Sequence, residues 1–180
     1  MKISELLTNY VNKEEKERTI GHYYASEINS IIKGYLTVSN FKTKKPILGE
    51  GVNKIISGIA FEEMLEKIFI QQKVDHKYNE RYEIKVSEGV TITCKPDFEF
   101  PDRVWETKYC FDKDWDYIMS TYQYQLECEH RVTGKDVYVA LFSSPFNIQV
   151  KKFIPSEVRW ETTKKVVLDF HNKLIKKYNK

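Results

Sequence analysis

The sequence predicts an α/β protein: a central mixed β-sheet flanked by α-helices. Three observations carry that prediction. Apolar residues recur at helical spacing in some segments and at strand spacing in others, in the order helix, strands, helix, strands, helix. Neither internal repeats nor low-complexity tracts nor linkers interrupt that order. Hydrophobic residues make up 41% and charged residues 31% of the chain, the balance of a folded globular protein rather than a disordered one. At 180 residues the chain is long enough to bury most of its apolar surface, and one domain is expected.

Residues 2–17 and about 24–36 read as helices, the second opening near Ser26 with Glu27, Ile28, Ile31 and Ile32 behind it. The stretch NFKTKKPILGEG is loop, marked by Pro46, Gly49 and Gly51. Residues 52–72 form the strongest helical pattern, apolar on nearly every side, and are expected at the centre of the core. RYEIKV and VTITC are strands joined at SEG, and RVWETKYC is a third. Ile118, Tyr122 and Leu126, at i, i+4 and i+8, mark a helix over 113–131. DVYVALF and NIQVKKFI are two further strands broken by SSPF. A last helix over about 156–178 sets Val167, Phe170, Leu174 and Tyr178 inward and its lysines outward.

Several function classes are excluded by composition. No apolar run approaches membrane-spanning length, and MKISELLTNY lacks the apolar centre of a signal peptide, so a cytoplasmic protein with no membrane partner is expected. Cys94, Cys110 and Cys128 are odd in number and show no CxxC spacing, which indicates neither a disulfide framework nor a zinc ribbon. A net charge of +3 permits a polyanionic partner without demanding one, and Lys42, Lys44 and Lys45 gather in one loop.

Chemistry concentrates in CKPDFEFPDRVWETKYC, residues 94–110. Strand side chains alternate, so Glu106 and Lys108 point one way while Trp105, Thr107 and Tyr109 point the other. Asp97 lies on the neighbouring strand. Two carboxylates and an ammonium at one spot need a shared ligand or one another. A hard cation such as Mg²⁺ takes carboxylate and carbonyl oxygens and leaves positions for a phosphate. Asp97, Glu106 and the Thr107 carbonyl suit that role, and Lys108 beside them would steady an attacking water. By itself the D-x8-E-x-K triplet is a weak signal and fits a structural salt bridge better than a catalytic site. Two features tip the balance. Glu62 falls between Ile55, Ile59 and Phe69 on the helical wheel, inside an apolar stripe, where a carboxylate needs a cation or donors. Gln125 borders the Ile118–Tyr122–Leu126 stripe, which turns its amide toward the interior or a cleft.

Gly58-x3-Glu62, Lys95-Pro96-Asp97, Glu106-Thr107-Lys108 and a Gln123-Tyr124-Gln125 helix, in that order, resemble the PD-(D/E)XK nucleases. The RecB-like branch, with phage lambda exonuclease (the YqaJ type) and the CRISPR-associated RecB-like nucleases, is the most similar. YQYQLECEHRVTGKDVYVALFSSP looks like the lambda type, and TIGHYYASEINSIIKGY resembles its N-terminal helical part. The resemblance spans roughly residues 18–155. It implies a restriction-endonuclease-like core at 51–155, a helical part at 1–50 and a C-terminal helix at 156–180. It implies Mg²⁺ or Mn²⁺ held by Glu62, Asp97, Glu106 and the Thr107 carbonyl, with Asp97, Glu106 and Lys108 catalytic. Gln123 and Gln125 would support the site, and Ser26 with the basic loop of Lys42, Lys44 and Lys45 would grip DNA. The implied activity is a DNA exonuclease leaving 5′-phosphates, in recombination, repair or phage and mobile-element DNA processing. An endonuclease of the same fold and a DNA-binding module that no longer cleaves stay open, although an intact Lys108 argues against the latter. A homo-oligomer stays open as well. Three scattered cysteines supply too few thiolates for an iron–sulfur cluster, so none is expected. Family members often place a tyrosine four residues after the helix glutamine. Here Glu127 follows Gln123 and Glu129 follows Gln125.

Overall fold

In a computed structural model of the chain, residues 2–13, 18–43, 46–110, 114–143 and 147–178 are described. The elements are α1 (Ile3–Val11), β1 (His22–Tyr24), a 3₁₀ turn (Ala25–Glu27), α2 (Ile28–Ile32), α3 (Glu50–Gln71), β2 (Lys77–Tyr78), β3 (Tyr82–Ser87), β4 (Val90–Cys94), β5 (Phe98–Glu99), β6 (Arg103–Tyr109), α4 (Trp115–Thr133), β7 (Asp136–Ser143), β8 (Asn147–Lys152) and α5 (Glu157–Tyr178). They build a three-stranded sheet in the order β1-β4-β3 and a five-stranded sheet in the order β2-β5-β6-β7-β8. Both sheets are mixed. β1 runs parallel to β4 and β6 parallel to β7, while the other pairs are antiparallel. The α/β architecture is as the periodicity predicts.

Alternation along β6 and β7 divides the five-stranded sheet into two faces. Trp105, Tyr109 and Phe142 pack with Phe61, Leu65 and Phe69 of α3. Val104, Val137, Val139 and Leu141 pack with Ile118, Tyr122 and Leu126 of α4. Glu106 and Lys108 share the parity of Val104, so they face α4. On α5, Val167, Phe170 and Leu174 are buried against Tyr23, Ile28 and Ile92.

Three local features differ from the expectation. The segment about 24–36 begins as strand and 3₁₀ turn, and its α-helical part is Ile28–Ile32 alone. β1 escapes a periodicity argument because it is only three residues long and parallel to β4. Gly21 admits the approach, since a Cβ there would collide with the Gly89 carbonyl oxygen. The helix expected over 2–17 is described to Val11, and residues 14–17 lie outside the described residues. Finally, α3 is not apolar-buried all round. Its buried residues are Val52, Phe61 and Leu65, and Met64, Ile68 and Ile70 reach solvent because only one side meets the sheet.

Two buried carboxylates stitch these layers together. Glu127 of α4, fully buried, accepts from Arg131 and Arg159 and from the Ser156 backbone N–H at 2.9 Å, fastening α4 to the start of α5. Glu99 of β5 accepts from Lys135 at 2.6 Å and from the Tyr82 hydroxyl, linking the two sheets. Burial pushes its carboxyl up, but Lys135, the Tyr82 hydroxyl and Lys77 hold it below the usual range. Among the described residues no helix is long and apolar enough to cross a membrane.

Candidate active site

β5 pairs with β6 only through Glu99↔Val104 and Phe98↔Trp105. Beyond Trp105 the two strands fork, and the backbone of β6 is left with an unclaimed N–H at Thr107. Asp97, in the bend before β5, fills the gap: its Oδ2 accepts from the Thr107 backbone N–H and from the Thr107 hydroxyl, both at 2.7 Å. A side chain thus replaces a strand partner, which satisfies an amide that burial would otherwise orphan. Asp97 is fixed at the edge of β6, beside Glu106 and Lys108.

Glu106 is 2% exposed. Its Oε1 accepts from Lys108 Nζ and from Gln125 Nε2, the latter at 2.6 Å. Its Oε2 is buried and has no hydrogen-bond partner among the described residues. An unpartnered carboxylate oxygen at the fork is what a cation would engage. Burial opposes the charge of Lys108, and the Glu106 and Asp97 carboxylates more than offset this, so its pKa stands above the ordinary lysine range. The ammonium also lies 4.5 Å from the centre of the Tyr122 ring. Burial, then the charge of Glu106, push Asp97 up to about 8, with Lys108 and the Thr107 hydrogen bond opposing them.

Glu62 feels the same charges. Burial and Glu106 raise its pKa, and Lys108 and Lys95 lower it. It is less enclosed than the helical wheel predicts, however. Ile55, Ile59, Phe69 and Glu62 are all half-buried, because α3 covers the sheet with one side only. Glu62 stands at the rim of the fork rather than beneath it. The Tyr78 hydroxyl, pushed up to about 12 by burial and then by Glu62, Glu66 and Asp97, belongs to the same rim. Among the described residues no three His, Cys, Asp or Glu side chains are grouped so that they could hold a metal ion. The donor set fits an open site instead, with two carboxylates, Asp97 and Glu106, and positions left for water and phosphate, as magnesium prefers.

α4 decides between the two glutamines. Gln125 reaches Glu106, whereas Gln123 donates to the Ser120 carbonyl at 3.1 Å and accepts from Arg159 at 3.2 Å. Gln123 is therefore part of the α4–α5 contact and not of the fork. Ser26 is exposed in the 3₁₀ turn after β1. β1 and β4 run parallel with Tyr24↔Thr93 in register, so the turn leaves the sheet at the end where β4 runs into Lys95, Pro96 and Asp97. Arg18 fastens that turn by donating to Glu27 at 2.8 Å and to the Phe41 carbonyl at 3.0 Å. Lys42 lies over the Tyr178 ring at the end of α5. Lys44 and Lys45 lie outside the described residues.

Two residues at the fork, Tyr122 and Glu129, are not assigned to the site by spacing or motif. Tyr122 belongs to the apolar stripe of α4, and its ring does border the core while also carrying Lys108. Glu129 is legible as an acid one turn beyond Gln125. Its burial is not, since an acid four residues from a glutamine also describes a solvated helix face.

The fold and the fork together define a class of architecture: a restriction-endonuclease-like α/β core, mixed sheet flanked by helices. No family model and no curated protein matches the sequence. Solved structures do match. A protein designated SSO0001 aligns over 97% of this chain and 88% of its own, at TM-score 0.64 and 14% identity. An alkaline exonuclease, LHK-Exo, from Laribacter hongkongensis aligns over 96% and 93%, at TM-score 0.61 and 11% identity. A phage-related exonuclease from Haemophilus somnus 129PT aligns over 87% and 96%, at TM-score 0.58 and 16% identity. The chain shares their fold.

Proposed function

We propose that this protein is a metal-dependent deoxyribonuclease acting from DNA ends, with Asp97, Glu106 and Lys108 as its catalytic residues. The observation that carries this reading is the fork itself: Asp97 locked to the edge of β6, Glu106 with one oxygen held and the other unpartnered, and a charged lysine beside them. The names of the exonucleases that share the fold support it. Glu62, Asp97, Glu106 and the Thr107 carbonyl would hold Mg²⁺ or Mn²⁺. When bound there, a divalent cation supplies Lewis-acid stabilisation of the charge that grows on the phosphoryl oxygens.

Each side chain has a separate task. Lys108, being protonated, donates a hydrogen bond to the attacking water and stabilises negative charge on it as its proton leaves. Gln125 holds Glu106 in place. The water oxygen bonds to phosphorus as its proton passes to solvent, the P–O3′ bond breaks, the 3′ oxygen takes up a proton from solvent, and the phosphate stays on the 5′ side of the product. Ser26, exposed beyond β1, would donate to a backbone phosphate. Phosphate contacts of this kind make binding fall steeply with salt.

Purified protein with Mg²⁺ or Mn²⁺, given end-labelled linear duplex, linear single strand and covalently closed circles, is expected to degrade linear DNA to 5′-phosphorylated products and to leave circles intact. Nicking of circles at the rate seen on linear DNA would make it an endonuclease of the same fold. No cleavage of any DNA with either metal would overturn the enzymatic reading.

Metal should also be visible in stability. Asp97 binds its proton more tightly in the folded protein than in the unfolded chain, so deprotonation between about pH 4 and pH 8 disfavours the fold. Metal-free protein should therefore lose stability from this group as pH rises through that window. Mn²⁺ at about 100 times its Kd should raise Tm by roughly 5–10 °C near pH 8, and by less at pH 5, where the Asp97 proton competes. Glu62→Gln should weaken this response while leaving the metal-free protein at least as stable, since it removes one of the mutually repelling charges. Differential scanning fluorimetry across pH, with and without Mn²⁺, reads all of these. Full metal affinity in Glu62→Gln with lowered stability would make Glu62 a salt-bridge partner and no ligand.

A further inference from the structure

Glu129 is fully buried on α4, one turn beyond Gln125. Its Oε1 accepts from Gln125 Nε2 at 2.9 Å, and its Oε2 has no partner among the described residues. A buried carboxyl with an unpartnered oxygen is unfavourable, and a leucine would fill the same space without that disadvantage. Glu127, its neighbour but one, is compensated by two arginines and a backbone N–H. Among the described residues Glu129 has no such cation, and the amide of Gln125 is its donor.

The geometry of that contact points to a task. A glutamine amide nitrogen carries two hydrogens. In Gln125 both are used, one on Glu106 Oε1 at 2.6 Å and one on Glu129 Oε1 at 2.9 Å. A flipped amide would set its carbonyl oxygen against two carboxyl oxygens, so the pair of acceptors fixes which end of the amide faces the fork. Without Glu129, Gln125 would keep a single hydrogen bond to restrain a side chain with three rotatable bonds, and the amide could turn. The consequence reaches Glu106. Its Oε1 stays engaged by Lys108 and Gln125, and its Oε2 is left as the free oxygen. Glu129 and Glu106 meet at one amide nitrogen, each accepting one of its two hydrogens.

We infer that Glu129 is a positioning residue which, by locking the Gln125 amide, holds Glu106 with Oε1 occupied and Oε2 presented for a divalent cation. This rests on the reading of Glu106 as a cation ligand. Residues that orient metal ligands from behind change metal affinity by about 10–100-fold when removed.

The test compares Glu129→Leu, Glu129→Gln and Gln125→Met with wild type, all as the full chain. Mn²⁺ binding is measured by calorimetry, and kcat and KM on linear DNA. Glu129→Leu is expected to weaken Mn²⁺ binding about 10-fold or more and to lower kcat at saturating metal with KM for DNA unchanged. Glu129→Gln keeps an acceptor oxygen for the amide and should stay within about 3-fold of wild type. Gln125→Met breaks the same link from its other end and should reproduce the losses, and the double variant Glu129→Leu/Gln125→Met should lose no more than either alone. Should Glu129→Leu fail to fold, Glu129→Gln and Gln125→Met still decide the matter. Wild-type Mn²⁺ affinity in Glu129→Leu or in Gln125→Met overturns the inference while the metal site stands. So do equal losses in Glu129→Gln and Glu129→Leu. Wild-type protein that binds no Mn²⁺ overturns the inference together with the reading of Glu106.

Discussion

Asp97→Asn is expected to reduce DNA cleavage by at least about 10²–10³-fold, the loss seen on removing one well-placed electrostatic group, while leaving the protein folded. The asparagine carbonyl oxygen can still accept from the Thr107 N–H and hydroxyl, so the fork keeps its geometry. What disappears is a negative charge. Metal-free Asp97→Asn should melt no lower than wild type, because Glu106 and Glu62 lose a like-charged neighbour, and its Tm should stop responding to Mn²⁺. Glu106→Gln should behave alike on cleavage. Lys108→Met should show the same fall in kcat with metal binding retained, since it removes the donor that orients the water and no ligand. Steady-state rates on end-labelled linear DNA and melting curves with and without Mn²⁺ check all three. A wild-type rate in Lys108→Met would sink the assignment of this lysine to the chemistry.

Glu127→Ala is expected to destabilise the fold by about 3–5 kcal/mol, the usual consequence of removing one partner from a buried ion pair. For a chain of this length that is roughly 6–20 °C in Tm. Arg159 and Arg131 would each lose a carboxylate, and the Ser156 N–H at the start of α5 would lose its acceptor. Glu127→Gln keeps one acceptor oxygen and should lose less. Neither variant should change Mn²⁺ affinity, because Glu127 points to α5 and not to the fork. Chemical denaturation of the two variants against wild type reads the difference. A loss below about 1 kcal/mol in Glu127→Ala would mean that this network is no more than a surface pair. The contrast with Glu129→Leu, expected to lose metal affinity rather than stability, separates two buried glutamates two residues apart.

Those two glutamates also mark what sequence can carry. Long amphipathic patterns are decided locally, by which residues recur at a period of 3.6 or 2, and they place α3, α4, α5, β3, β4, β6, β7 and β8 within a few residues of where they lie. Alternation along VWETKY likewise puts Glu106 and Lys108 on one face by strand geometry alone. Short elements have no such pattern. β1, β2 and β5 are two or three residues long and exist because a neighbouring strand offers hydrogen bonds. The burial of a polar residue on a helix is equally a matter of what packs over it. Glu62 falls inside an apolar stripe and Glu129 one turn beyond a glutamine, yet the first stands at a rim and the second is sealed. The difference arises because α3 covers the sheet from one side while α4 is enclosed by both sheets and α5. The fold class, the run of long elements and the Asp97–Glu106–Lys108 set are thus legible in the residues alone. Packing is needed to see that Asp97 takes the place of a strand partner at Thr107, that Gln125 and not Gln123 reaches Glu106, and that Glu129 lies behind them. Periodicity reports which face a residue occupies; what closes over that face is set by contacts between segments far apart in the chain.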